Sequence, residues 1–236
     1  MIYKTIINGI NVEAEFSDED IREKYIPFLK MLTEKQKAKG KRLLVMLAAP
    51  PGAGKTTLLS FLKKLSEETL GITPVTTIGM DGFHRYQEYL CSHTTLRDGK
   101  EVLMVKVKGA PETFDLEKLL KAVKDIASGK EIGWPSYNRM THNPQENAIS
   151  ITGDIVLLEG NYLLLEMDGW TELKEYADVT VKLTADKELL RNRLIIRHQE
   201  SGKAYDAAVT FVDSSDMVNA ALCLEHSTKA DIEWKV

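Results

Sequence analysis

The stretch Ala49-Pro50-Pro51-Gly52-Ala53-Gly54-Lys55-Thr56-Thr57 constrains this chain more than any other. An apolar run from Leu43 to Ala48 leads into it, and a helical pattern from Thr56 to Lys64 leads out. Buried strand, glycine loop, Lys-Thr and helix is the layout of a phosphate-binding loop. Gly52 and Gly54 carry no side chain, so the backbone can approach an anion closely. The loop and helix start run from Pro51 through Thr57, and the N–H groups from Gly52 onward form a ready anion cradle. In such a loop Lys55 reaches the β- and γ-phosphates, and the Thr56 hydroxyl is placed to ligate Mg²⁺. Alanine replaces the usual first glycine at position 49, which requires a negative φ there. The loop implies a nucleoside triphosphate but not what is done with it.

The rest of the chain supplies an α/β pattern. Residues 3–7 and 10–16 are two β-prone runs separated by Asn8-Gly9, a strong hairpin signal. Ser17 is a good N-cap for a helix carrying Ile21, Tyr25, Phe28, Leu29 and Leu32 at helical spacing. Pro27 is a candidate kink, and Gly40 a candidate stop. The lysines from Lys35 to Lys41 read as a solvated face. After the loop helix, Pro74 to Ile78 reads as a second buried strand. Leu103 to Val107 alternates like a strand, Asp115 caps a helix over Leu116 to Ala127, and Gly133 to Asn138 is extended. Arg139 and His142 fall in a loop, and Ala148 to Thr152 forms a short strand. Asp154 to Gly160 and Ala177 to Leu183 are further strands. Asp186 opens a helix bearing Arg191, Arg193 and Arg197, a last helix runs through Val209 to Leu224, and Asp231 to Val236 is the final strand. The expected domains are residues 1–40, a hairpin and helix appended to the core, and residues 41–236.

At 236 residues and 43% hydrophobic composition, the chain suits one full core, and its net charge of −4 argues against a nucleic-acid partner held by bulk positive charge. No stretch is expected to reach membrane-spanning length, and the first residues lack the features of a signal peptide. Cys91 and Cys223 have no metal-ligand spacing, which fits reduced thiols in a cytoplasmic protein.

Two acids stand out at predicted strand ends. Asp81, in Met80-Asp81-Gly82-Phe83-His84, lies just past the second strand, where open α/β sheets bind ligands. On position alone a turn or cap aspartate is the commoner outcome. Glu159 ends the strand before Gly160 and is a candidate to face a magnesium site. Arg193 and Arg197, four apart, share a helix face that can close over phosphates.

Taken in order, these strings resemble the phosphoribulokinase, uridine kinase and pantothenate kinase family of P-loop kinases. The resemblance adds Lys108-Gly109-Ala110-Pro111-Glu112-Thr113-Phe114-Asp115, Pro135-x-Tyr137 with His142, and Leu158-Glu159-Gly160-Asn161-Tyr162. It is similar above all to a bacterial nucleoside, pantothenate or sugar kinase-like branch, and covers residues 41–236. It implies a three-layer P-loop NTPase fold with a mostly parallel central sheet, a helical lid, and the N-terminal β-hairpin plus helix outside the shared core. It also implies an ATP- and Mg²⁺-dependent kinase acting on a hydroxyl of a small metabolite, with no nucleic-acid or membrane partner and a homodimer admissible. Asp81 is the implied base. Thr56, Glu159 and Asp81 form the implied metal site, and Arg193 and Arg197 the lid arginines. Lys108, Glu112, Tyr137 and His142 line the implied substrate pocket with Asp81. The segment from Lys229 to Ile232 resembles a late strand near the adenine. His84 belongs to the matching string but has no assigned role.

Two other classes share the loop. A GTPase-type metallochaperone or regulator would carry an Asn-Lys-x-Asp string, which is absent. A non-catalytic nucleotide-binding module would have no use for a base such as Asp81.

Overall fold

The computed structural model describes residues 1–7, 10–97 and 99–236. The expected turn at Asn8-Gly9 therefore lies outside the described residues. In chain order the strands are β1 (Ile2–Ile7), β2 (Ile10–Glu15), β3 (Leu43–Ala48), β4 (Val75–Gly79), β5 (Thr94–Arg97), β6 (Lys100–Leu103), β7 (Ile132–Asn138), β8 (Asn143–Ile151), β9 (Ile155–Gly160), β10 (Val179–Thr184) and β11 (Ile232–Lys235). The helices are α1 (Asp18–Asp20), α2 (Ile26–Lys39), α3 (Lys55–Glu68), α4 (Gln87–Ser92), α5 (Leu116–Ala127), α6 (Lys187–Glu200), α7 (Tyr205–Phe211) and α8 (Met217–Glu225).

The centre is a five-stranded parallel sheet in the order β11-β10-β3-β9-β4. Both faces are covered, which is why β3 and β9 read as unbroken apolar runs. Side chains alternate across the sheet with period two. Leu43, Val45 and Leu47 enter one core with Ile155 and Leu157, while Leu44, Met46 and Ala48 enter the other with Val156 and Leu158. The first core is closed by α2 and α3, the second by α5 and the buried Trp134 of β7.

The β1–β2 hairpin and α2 join the first core through an aromatic cluster. Phe16 stacks on Phe61 of α3 at 3.9 Å, Tyr3 lies 5.2 Å from the same ring, and Tyr25 meets it edge-on at 6.1 Å. The Tyr3 hydroxyl also shares a 2.8 Å hydrogen bond with Ser60. Ser17 caps α1 as expected, accepting from the Asp20 amide at 2.9 Å. Pro27 produces a π turn at Ile21–Tyr25 just before α2. A proline cannot donate to the carbonyl one turn back, and the wider turn absorbs that missing bond.

Three expectations need correction. Leu103 to Val107 is not a strand: β6 ends at Leu103 and Met104–Val107 is a 3-10 turn. The strand expected at Ala148 is much longer, running from Asn143 to Ile151 and pairing antiparallel with β7. Its first half is polar and exposed, so it carries no apolar alternation to read. The helical run Tyr205–Glu225, at 21 residues, is long and apolar enough to cross a membrane by length and composition. Ala208, Val212, Ala220 and Cys223 in it are fully buried against the protein, and Asp213 and Asp216 bond Arg191 and His198 of α6. That is the pattern of a helix packed in a core.

Phe61 joins the hairpin to the sheet core, so Phe61→Ala should lower unfolding free energy by about 3–5 kcal/mol. Urea denaturation followed by fluorescence would measure it.

Candidate functional site

Parallel pairing brings the carboxyl ends of β3, β4 and β9 to one edge. Leu47 lies beside Glu159, and Gly79 lies beside the same Glu159 on its other flank. The loop that leaves β3, the Asp81 turn that leaves β4 and the end of β9 therefore converge. In the loop, Gly52 and Gly54 take φ of 83° and 81°, left-handed conformations that favour glycine. Ala49 is not among the residues with positive φ, so its side chain is tolerated. α3 begins at Lys55 directly after Gly54. Its free amides face the loop, as an anion site requires.

Thr56 donates its hydroxyl to Glu159 Oε1 at 2.7 Å. Gly79 packs beside the same carboxylate, where a Cβ would stand 3.4 Å from that oxygen, at the edge of ordinary contact. Burial pushes the Glu159 carboxyl above its usual range; Lys55 opposes that shift and the nearby Asp81 charge adds to it. Asp81 sits in the 3-10 turn Met80–Phe83. Burial disfavours its charge, but His84, Lys55, Arg139 and Arg197 together outweigh burial and hold it below the ordinary carboxylate range. Two neighbouring acids are thus driven in opposite directions, a pattern that marks functional sites. Thr56, Glu159 and Asp81 also border one small cavity. A hydroxyl and two carboxylates are hard oxygen donors that suit Mg²⁺, which keeps water and phosphate as its other ligands. Among the described residues no cluster of three or more His, Cys, Asp or Glu side chains forms a separate metal site.

His84 explains how the Asp81 turn is held. Its Nδ1 donates to the Asp81 carbonyl at 2.8 Å, and its ring packs on Phe114 at 4.0 Å and Tyr137 at 4.9 Å. Burial lowers the pKa of this imidazole. From the other side, the Trp134 indole donates to the Gly79 carbonyl at 2.8 Å.

Beyond Asp81 opens a cleft of about 600 Å³. Lys108, Tyr137 and His142 meet there: the Lys108 ammonium donates to Gln87 Oε1 at 2.7 Å and to the His142 carbonyl at 2.9 Å, and lies over the Tyr137 ring. Burial lowers the Lys108 pKa and raises that of Tyr137 to about 12, so the phenol keeps its proton. The two strings around Gly109 and Tyr162 are joined by a 2.6 Å bond from the Tyr162 hydroxyl to the Gly109 carbonyl.

Two expected members lie apart. Glu112 faces Arg97 at 3.8 Å and is not among the residues lining the cleft. Arg193 and Arg197 share a helix but not a cavity. Arg197 lines the Asp81 cleft, whereas Arg193 donates to the Gly52 carbonyl at 3.5 Å on the far side of the loop. Pro51 and Lys55 line the Asp81 cleft, while Gly52, Ala53, Gly54 and Thr57 line that far side. Arg139, a mere loop residue by sequence, borders both cavities that contain Asp81. No short motif announces it; it arrives because β7 and β8 form a hairpin whose turn hangs over the cleft.

Residues 44–230 match the model of the Phosphoribulokinase / Uridine kinase family. The chain belongs to this family. Family membership implies ATP binding and relates the chain to kinases of small molecules. Among relatives, YggC of Escherichia coli (strain K12), itself uncharacterized, is 34% identical over 96% of this chain and 92% of its own length. The provisionally named uridine kinase C227.14 of Schizosaccharomyces pombe is 30% identical over 81% of this chain and 82% of its own. A solved kinase from Silicibacter sp. TM1040, provisionally named a fructose transport system kinase, superposes with TM-score 0.74 at 29% identity, over 87% of this chain and 98% of that one.

Gly82 shows how tightly the Asp81 turn is seated. A Cβ there would overlap the Pro135 carbonyl, a backbone atom of β7 that cannot swing aside. Gly82→Ala should displace the turn and lower any phosphotransfer by at least about 100-fold, since misplacing a reacting group by about 1 Å costs that much. Steady-state kinetics with a circular-dichroism check of folding would test it.

Proposed function

We propose that this family member is an ATP-dependent kinase that transfers the γ-phosphate to a hydroxyl of a small metabolite, nucleoside, pantothenate or sugar-like. The single observation that carries the reading is the meeting at one sheet edge of the loop, the Thr56–Glu159 pair, and an aspartate whose charge is stabilised by surrounding cations. A loop that only sensed nucleotide would have no reason to face a second, 600 Å³ cleft across a carboxylate.

Phosphoryl transfer depends on positioning and charge neutralisation more than on covalent chemistry. Lys55 holds the terminal phosphate. Thr56 and Glu159, with Asp81, would hold Mg²⁺, which neutralises phosphate charge when bound. Asp81 is ionised at neutral pH, so it accepts a hydrogen bond from the acceptor hydroxyl and takes its proton as the oxygen attacks. Lys108, Tyr137 and His142 orient the acceptor from the opposite wall. Arg197 and Arg139, already near Asp81, stabilise charge on the transferred group. We place this activity in the cytoplasm.

The GTPase or regulator alternative is separated by one measurement, ADP release from ATP with and without a panel of hydroxylated metabolites. Acceptor-dependent release supports the kinase, and guanine preference or acceptor-independent turnover opposes it. Asp81→Asn should lower kcat by about 100-fold or more, the usual scale for losing a general base, while ATP affinity by calorimetry stays near wild type. Undiminished transfer by this variant would refute the assignment. Chelation with EDTA should abolish turnover, and added Mg²⁺ should restore it.

A further inference from the structure

The loop has two mouths. Pro51 and Lys55 open on the Asp81 cleft, whereas Gly52, Gly54 and Thr57 open on a cavity of about 640 Å³ on the other side. In the kinase proposed above, a reading on which the nucleoside assignment depends, the γ-phosphate points toward Asp81. A triphosphate laid along the loop then sends its nucleoside end into the second cavity. The wall facing the loop there is β2 of the N-terminal hairpin, with Arg193 and the last residues of the β11 segment at its sides. Residues 12–16 and 235–236, which supply those walls, all lie outside the stretch 44–230 shared with the family model.

We propose that the hairpin is the nucleoside-binding wall of this kinase, with Glu15 accepting from the ribose hydroxyls. The hairpin is rigidly placed for that work, because Phe16 and Tyr3 are fixed to Phe61 and Ser60 of the helix that begins with Lys55. Val12, Ala14 and Phe16 give the cavity a half-buried apolar surface suited to the face of a base. Most of its charged side chains are engaged: Glu13 with Lys4 at 2.8 Å, Asp20 with Lys24 at 3.9 Å, and Lys235 with Asp186 at 3.1 Å. The Glu15 carboxylate has no ion-pair or hydrogen-bond partner among the described residues. A carboxylate is an acceptor-only group, and vicinal ribose hydroxyls are its natural donors, as in dinucleotide sites.

The test is calorimetry of the full chain, in Mg²⁺, with ATP, 2′,3′-dideoxy-ATP and inorganic tripolyphosphate. Glu15→Ala should weaken ATP by about tenfold, the scale of a hydrogen bond to a charged group, and change the other two by less than about twofold. Val12→Trp, which fills the cavity, should weaken both nucleotides by at least about tenfold and spare tripolyphosphate, because the loop is untouched. Unchanged ATP affinity in both variants overturns the proposal. So does equal weakening by Glu15→Ala of ATP and the dideoxy analogue, or of all three probes. A wild-type chain that binds neither ATP nor tripolyphosphate sinks the nucleotide reading and this assignment with it. Wild-type ATP binding with indifferent variants sinks this assignment alone.

Discussion

The register of β9 between β3 and β4 governs the whole site. Glu159 stands opposite Leu47 on one flank and Gly79 on the other, so a single strand end measures where the loop begins and where the Asp81 turn begins. Strand side chains alternate, and a slip of one residue would send Glu159 into the opposite layer and an apolar side chain to the phosphate edge. Both faces of the sheet are packed with fully buried aliphatic side chains, which makes such a slip very unfavourable. The geometry of the charged edge is thus enforced by an uncharged interior.

Electrostatics then divides labour between the two acids. The Asp81 charge helps raise the Glu159 pKa, and only Asp81 keeps its own charge easily. Burial weighs on both acids, but at Asp81 the charges of His84, Lys55, Arg139 and Arg197 outweigh it, while at Glu159 Lys55, the Thr56 hydroxyl and Arg139 do not overcome burial and the Asp81 charge. The same acidic chemistry yields an ionised group on the open side and a reluctant one on the closed side. A cation arriving between them would relieve Glu159 most.

What was legible in the sequence followed locality. Lys55, Thr56 and the two glycines cluster between two strong periodic signals, Glu159 ends an apolar run that reads as a buried strand, and Asp81 follows the strand-like run from Pro74 to Ile78. Lys108, Tyr137 and His142 were readable as a set through the family's strings, and the fold unites them. Arg139 and His84 were not readable as functional, because the fold assembles their surroundings: Arg139 is carried to Asp81 by the β7–β8 hairpin, and His84 is held between its own turn, Phe114 and Tyr137. β8 was half hidden since its polar residues face water. The apolar run near the carboxyl end was undervalued because its three aspartates, Asp206, Asp213 and Asp216, interrupt a stretch that is otherwise membrane-like.

The stack of Phe16 on Phe61 has one more consequence. Phe61 lies on the helix that presents Lys55, so anything that tilts the hairpin also pulls on the first turn of that helix. The first sixteen residues share a lever with the anion cradle. Shortening the chain to its phosphate-binding portion would strip that lever, leave Phe61 and Trp234 facing water, and yield a sticky fragment rather than a smaller working enzyme.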